Sequence, residues 1–316
     1  MQHMSSATSS ATSARVASEQ ASATWRVVLS SYIGLMKPHV TVLLLGTTLA
    51  AMALAGQGLP PVSVTLGTLV GGLFAAGSAN AINCYWDRDI DELMSRTKQR
   101  TLPAGKVAPT PALIFGVIIG ALSVAIFGVF VNLASAALAL GAILFYVCVY
   151  TMWLKRTTAQ NIVIGGAAGA VPALIGWAAV APLHWNTTLW TPLLMFAVIF
   201  LWTPPHFWAL SIVLKKDYAR AGVPMLPVVR GEAATYTQIT VYTVILVASS
   251  LLLVVTGGMG WLYLVCALAL GAGLLVFAIR LGQKRTLKAA RTMFWFSNYY
   301  LALLFAVMAL DHVLLR

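Results

Sequence analysis

From residue 32 onward the chain is built of apolar runs about 20 residues long that carry almost no charge, long enough for each to cross a bilayer as a helix. The runs cover 32–56, 62–84, 110–132, 134–154, 161–181, 190–214, 235–256, 259–281 and 293–315. With 60% hydrophobic residues, 9% charged residues and a mean hydropathy of +0.87, a water-soluble globular domain is excluded. Continuous apolar runs also exclude a transmembrane β-barrel, whose strands alternate polar and apolar residues. The expected fold class is all-α: a polytopic membrane protein of nine transmembrane helices in one bundle.

Charge placement orients that bundle. If the spans alternate in direction, every Lys and Arg except Arg316 falls at one end, as do all the acids except Asp311. The positive-inside rule then predicts a cytoplasmic N-terminus and, with nine spans, a C-terminus outside. The net charge of +12 therefore describes one surface, suited to anionic lipid heads and anionic substrates. Nucleic acid is not an expected partner, because no basic module stands outside the membrane.

Residues 1–28 read as a disordered cytoplasmic tail, rich in Ser, Ala and Thr and without the apolar core of a cleaved signal peptide. Residues 29–316 read as a single domain. Cys84, Cys148 and Cys266 are odd in number and lie in or beside the spans, so they read as packing residues and not as a disulfide framework.

Four of the eight acids fall in one short stretch, Asn83-Cys-Tyr-Trp-Asp87-Arg-Asp89-Ile-Asp91-Glu92, at the charged end of the second span. At about 100° per residue, Asn80, Asn83, Asp87 and Asp91 share a sector roughly 80° wide and Asp89 points the other way. Such a row of hard oxygens suits Mg²⁺, which binds one or two carboxylates and completes its shell with water and substrate phosphate. Next comes a basic run, Arg96-Thr97-Lys98-Gln99-Arg100. Alone it would read as an ordinary positive loop; after the acidic stripe it supplies the guanidinium forks for phosphate oxygens.

Two further loops at the same end carry chemistry. Lys155 and Arg156 precede a helix rich in Gly and Ala, a composition that allows close helix packing or close approach of a bulky ligand. In Lys215-Lys216-Asp217-Tyr218-Ala219-Arg220, a lone acid sits among cations. Asp217 reads either as a surface ion pair or as a ligand for a second Mg²⁺ on the same diphosphate. His206 lies inside the sixth span, where an ionisable residue is a functional candidate; a neutral, hydrogen-bonded bundle histidine is the plain alternative.

The pattern Asn83-x3-Asp87-x3-Asp91 on the second of nine helices resembles the first aspartate-rich motif of UbiA-type intramembrane prenyltransferases. Leu154-Lys-Arg-Thr157, His206-Phe-Trp-Ala-Leu210, Asp217-Tyr218 and Pro224-Met-Leu-Pro-Val-Val229 are similar to the haem-farnesylating branch of that family, from about residue 30 to the C-terminus. The chain departs from the wider family at Ala221, where the second motif has another Asp, and at His39, where many members carry Arg.

The resemblance implies a Mg²⁺-dependent prenyltransferase with Asp87, Asp91 and Asp217 catalytic and Asn83, Asp87, Asp91 and Asp217 around the metal. Arg96, Arg100, Lys155, Arg156, Lys216 and Arg220 would bind diphosphate. Asn80, Tyr146, Tyr150, Asn161, Trp177, His206, Phe207, Trp208 and Tyr299 would line an acceptor or prenyl pocket, with aromatic faces toward an allylic cation. The implied substrates are farnesyl diphosphate and haem b, with His206 ligating or orienting the iron. The implied partners are membrane lipids and a downstream haem-modifying enzyme or oxidase assembly factor, at the cytoplasmic face of a bacterial inner membrane. Two rivals stand beside this reading: a related enzyme prenylating another aromatic or tetrapyrrole acceptor, and a non-catalytic haem-binding or transport protein.

Overall fold

The computed structural model describes residues 25–56, 60–183, 189–256 and 259–315. His3, His184 and most of the expected tail lie outside the described residues. Within them, nine helices are long and apolar enough to cross a membrane, and no strand occurs. The spans are α2 (Pro38–Ala55), α3 (Val62–Trp86), α5 (Pro109–Phe130), Leu133–Thr157, α8 (Asn161–Val180), α9 (Trp190–Val213), α12 (Gly231–Val255), α13 (Trp261–Lys284) and α14 (Leu287–Leu315). Short helices lie between them: α1 (25–35), α4 (Arg88–Leu93), α10 (Lys215–Arg220) and α11 (Leu226–Val229). The fourth span is composite: α6 (Leu133–Leu144), a π-helix over Phe145–Leu154 and a last turn, α7 (Lys155–Thr157).

Two expectations about the N-terminal region need correction. Residues 25–28, expected in the tail, are helical. The first apolar run is also two helices and not one: Lys37 adopts φ 50° and ψ 62°, and Pro38 opens α2. A proline disfavours the α conformation in the residue before it, so the break falls where the sequence places Lys-Pro.

The two largest apolar clusters of the interior share α8 as a wall. The larger packs α2, α8, α9, α12, α13 and α14 around Met195, Trp208, Tyr263, Leu274 and Tyr300. The smaller joins α3, α5 and the fourth span to α8 through Phe127, Ile143, Val147 and Ile175. Close approach explains the glycines of α8. A Cβ at Gly176 would come within 2.2 Å of the Thr48 carbonyl oxygen on α2, and one at Gly165 within 2.3 Å of the Tyr150 ring. At the end away from the acidic stripe, Asp311 accepts the backbone N–H groups of Gly260 and Tyr263 and so caps α13. All three cysteines are free.

Candidate active site

The acidic stripe survives a helix junction. α3 ends at Trp86 and α4 starts at Arg88, yet the Asp87 N–H still bonds to the Asn83 carbonyl (2.9 Å) and the Asp91 N–H to the Asp87 carbonyl (2.8 Å). The i to i−4 register is kept, and Asn80, Asn83, Asp87 and Asp91 all turn inward and are buried. The Asp89 side chain is 61% exposed, on the opposite side as the helical geometry requires, and accepts a fork from Arg156 at 2.8 Å on each oxygen. Those bonds hold the Asp89 carboxyl below its ordinary pKa.

Three cations from two segments converge on the two buried carboxylates. Lys155 Nζ donates to Asp87 Oδ2, which also receives the Asn83 amide N–H at 2.6 Å. Arg156 lies 3.6 Å from Asp87 Oδ1, a buried oxygen with no hydrogen bond. Arg100 Nη1 meets both oxygens of Asp91, at 3.0 and 2.9 Å. Burial works against the Arg100 charge, but the Asp91 charge and hydrogen bonds outweigh it and raise the guanidinium pKa.

Lys37, read from sequence only as a topology signal, is the fourth cation. The left-handed turn before α2 carries its Nζ to within 2.9 Å of Asn83 Oδ1. Burial lowers its pKa, and the nearby charges of Arg100 and Lys155 push the same way. The contact also fixes the Asn83 amide: a lysine only donates and a carboxylate only accepts, so the oxygen faces Lys37 and the NH₂ faces Asp87. Asn83, expected as a metal ligand, gives one lone pair of its amide oxygen to Lys37 and orients Asp87 through its NH₂. Its NH₂ also reaches Thr151 Oγ1 at 3.2 Å.

The π-helix explains how the fourth span reaches the site. On an ordinary α-helix Lys155, nine residues beyond Tyr146, would point about 180° away from it. Bonding from i to i+5 widens each turn, which brings Tyr146, Tyr150, Thr151 and Lys155 onto one face. The Tyr146 and Tyr150 rings stand 5.1 Å apart there.

Asp217 joins from α10 by another route. It is buried, and Oδ2 accepts both the backbone N–H and the hydroxyl of Ser95, just beyond α4. Arg220 lies 3.8 Å from its other oxygen and donates to the Leu93 carbonyl. An apolar layer of Ile90, Met94, Ile162, Tyr218 and Met225, flanked by Tyr150 and Phe207, holds α4 against α8, α10 and α11. Asn161 is fully buried at the start of α8, its amide N–H on the Thr158 carbonyl and its oxygen unpaired.

Other expected residues stand apart. Arg96 and Lys216 are exposed and pair with no carboxylate among the described residues. Trp177 lies sixteen residues along α8 from Asn161, about 24 Å toward the other end of the bundle. Trp208 is enclosed in the larger core and meets Tyr242 edge-on. Tyr299 is 61% exposed on the outer face of α14. These positions share aromatic or basic character with site residues, but depth along the bundle (Trp177), enclosure in the core (Trp208) or exposure (Arg96, Lys216, Tyr299) sets them apart.

Among the described residues, no three His, Cys, Asp or Glu side chains converge as a ready-made metal cage. One or two carboxylates, with the rest of the shell from diphosphate and water, are what Mg²⁺ takes, and the unbonded Asp87 Oδ1 fits that donor set.

Fold and site together define an intramembrane helical protein with buried aspartates and a ring of cations at one end, the equipment to hold and activate a diphosphate. The profile of the UbiA prenyltransferase family matches residues 44–304, and the chain belongs to that family. It is 50% identical to the protoheme IX farnesyltransferase of Gloeobacter violaceus over 288 residues, 91% of this chain and 93% of that protein. Against the protoheme IX farnesyltransferase of Synechocystis sp. the identity is 51% over 288 residues, 90% and 89% of the two chains. In fold it is similar to a structure of digeranylgeranylglyceryl phosphate synthase (TM-score 0.74, 18% identity, 90% of this chain and 98% of that one). A second likeness is to a UbiA homologue from Archaeoglobus fulgidus bound to DMAPP and Mg²⁺ (TM-score 0.56, 15% identity, 88% and 99%).

Proposed function

We propose that the chain transfers a farnesyl group from farnesyl diphosphate to a vinyl carbon of haem b, acting as one catalytic domain over residues 29–316. The observation that carries the diphosphate half is the burial of Asp87 and Asp91 beneath Lys37, Arg100, Lys155 and Arg156. The acceptor half is supported by about half identity, over nine-tenths of the chain, to protoheme IX farnesyltransferases.

In the reaction the farnesyl carbon to oxygen bond breaks and its electron pair leaves with diphosphate. Lys155, Arg156, Arg100 and Lys37 bind the non-bridging oxygens and offset the growing negative charge in a site shielded from water. A divalent metal, Mg²⁺ in this proposal, supplies further neutralisation of the leaving group when bound, with Asp87 and Asp91 as its protein ligands. Asn83 and Thr151 set the direction of the Asp87 carboxylate. Asp217 holds the α10 loop to Ser95 and closes the side facing α4. The Tyr146 and Tyr150 rings stabilise the allylic cation. The terminal vinyl carbon of haem bonds to the farnesyl carbon; water adds to the neighbouring carbon and loses a proton, leaving a hydroxyethylfarnesyl side chain.

The excess of Lys and Arg at the site end supports a cytoplasmic site in a bacterial inner membrane, with the N-terminus inside and the C-terminus outside. The product then passes to a downstream haem-modifying enzyme or oxidase assembly factor. A competition assay tests the acceptor: offered haem b and 4-hydroxybenzoate together with farnesyl diphosphate, the protein prenylates haem alone. Prenylated 4-hydroxybenzoate as the main product would reject the haem reading and keep only the diphosphate site.

A further inference from the structure

Ser95, just beyond α4, gives its backbone N–H and its hydroxyl to Asp217 Oδ2 on α10, clasping two segments that lie 122 residues apart in the chain. The clasp sets two cations beside each other, because Arg96 follows Ser95 and Lys216 precedes Asp217. Arg220, one turn further along α10, is engaged with the clasp itself: Nη2 lies 3.8 Å from Asp217 Oδ1 and Nη1 donates to the Leu93 carbonyl at 3.4 Å. Arg96 and Lys216 are exposed and, among the described residues, neither forms an ion pair. Glu92, on α4 before Arg96, is exposed as well and forms no ion pair with it.

These two cations stand outside the inner ring. Lys37, Arg100, Lys155 and Arg156 each reach Asn83, Asp87 or Asp91, and with a divalent metal they already offset both aspartates and a diphosphate. Between the rim and the reacting rings lies an apolar shelf. Met94 and Tyr218, next to the clasp residues, belong to the layer of Ile90, Ile162 and Met225 that Tyr150 and Phe207 flank. Tyr150 is common to both levels: its ring stands 5.1 Å from that of Tyr146, and Arg96, Lys155 and Asp87 all lie within electrostatic range of its hydroxyl. Deeper in α9 the surroundings are neutral. His206 is buried there between Trp202 and Phe294, at 4.2 and 4.5 Å between ring centroids, with Nδ1 2.8 Å from Ser297 Oγ.

An apolar shelf with two unpaired cations along one edge is complementary to a flat apolar molecule that carries carboxylates on one edge. Haem b is such a molecule: two propionates project from one half of the macrocycle and the vinyl groups from the other. We infer that Arg96 and Lys216 bind the propionates of the haem acceptor, and that the Ser95–Asp217 clasp holds the two cations in register. Both were expected at the diphosphate, but they stand a layer further out. The Arg96 guanidinium forks onto one carboxylate and the Lys216 ammonium meets the other as a point charge. With its anionic edge at the rim, the macrocycle lies over Met94, Tyr218 and Phe207, and its vinyl edge faces Tyr150 and Tyr146. No carboxylate is then left in the apolar bundle, where an unpaired charge is costly. The inference rests on the proposed haem acceptor and names the residues that hold its carboxylates.

The test is steady-state farnesyl transfer by the full-length protein in phosphatidylcholine nanodiscs, with haem b and with its dimethyl ester, in which both propionates are capped. The readout is the ratio of KM for the ester to KM for haem b, since partition of each acceptor into the lipid is the same for every variant. Arg96→Gln and Lys216→Gln each lower that ratio by roughly three- to tenfold and the double variant lowers it further, while KM for farnesyl diphosphate stays within about twofold. Arg96→Lys and Lys216→Arg, which keep the charge, retain most of the discrimination. An unchanged ratio in the double variant makes the rim an ordinary solvated surface and overturns the inference. A raised KM for farnesyl diphosphate with an unchanged ratio overturns it in favour of the diphosphate. Equal KM values for haem b and its ester in the wild type overturn it whether or not any variant folds. Wild type that farnesylates neither acceptor rejects the haem reading itself, whereas farnesylated haem b with an unchanged ratio in the double variant rejects only the rim.

Discussion

Lys37 Nζ lies 2.9 Å from Asn83 Oδ1, a bond that ties the left-handed turn before α2 to the aspartate stripe across 46 residues of sequence. Removing the amine leaves a buried amide oxygen unpaired and frees the amide that aims Asp87. Lys37→Met should lower kcat/KM for the prenyl diphosphate by about ten- to a hundredfold, since roughly 1.4 kcal/mol is a factor of ten. Steady-state kinetics on membranes with matched protein levels checks it; a loss below threefold would show that the contact is incidental.

The stripe itself separates sharply by side. Asp87→Asn and Asp91→Asn should each lower farnesyl transfer by more than a hundredfold while membrane insertion stays normal. Asp89→Asn breaks only a half-exposed ion pair with Arg156, of a kind worth under about 1 kcal/mol, and should stay within about fivefold of wild type. Equal losses at Asp89 and Asp91 would mean that helical phase does not decide which carboxylate works.

The spans were legible because apolar runs of bilayer length need no tertiary information, and the register of Asn80, Asn83, Asp87 and Asp91 was legible because α-helical phase carries across the junction at Asp87. The role of Lys37 was hidden, since a lysine at a span end is what topology alone already explains. Ser95 and Thr151 were hidden because hydroxyl side chains are common and their partners lie 122 and 68 residues away. The π-helix, which turns Lys155 toward Tyr146, leaves no periodicity in so uniformly apolar a segment. Trp177, Trp208 and Tyr299 show the converse: aromatic identity does not say which way a residue faces.

Two glycines of α8 should differ from a third. Gly176→Ala drives a methyl against the Thr48 backbone and Gly165→Ala against the Tyr150 ring, whereas Gly169 has nothing within 4 Å of an added Cβ. Overpacking of this kind costs typically 1–3 kcal/mol. The temperature of thermal inactivation in detergent should therefore fall clearly for the first two and stay near wild type for Gly169→Ala. Gly165→Ala should also impair transfer beyond its stability loss, because it displaces the Tyr150 ring proposed to stabilise the allylic cation.

Chelation should separate the two substrates. With EDTA present, farnesyl transfer should stop while haem b binding, followed by its absorption spectrum, stays within about twofold, since the proposed metal sits on Asp87 and Asp91 and serves the diphosphate. Restoring Mg²⁺ should return activity. Transfer that continues at full rate under chelation would remove the metal from Asp87 and Asp91.

The most direct measurement is mass analysis of haem recovered after purified protein has been incubated with haem b, farnesyl diphosphate and Mg²⁺. The expected product is haem b carrying one farnesyl group and one hydroxyl, absent from a parallel Asp87→Asn sample. Unmodified haem b from folded wild-type protein that binds farnesyl diphosphate, or equal product from the Asp87→Asn variant, would contradict the account.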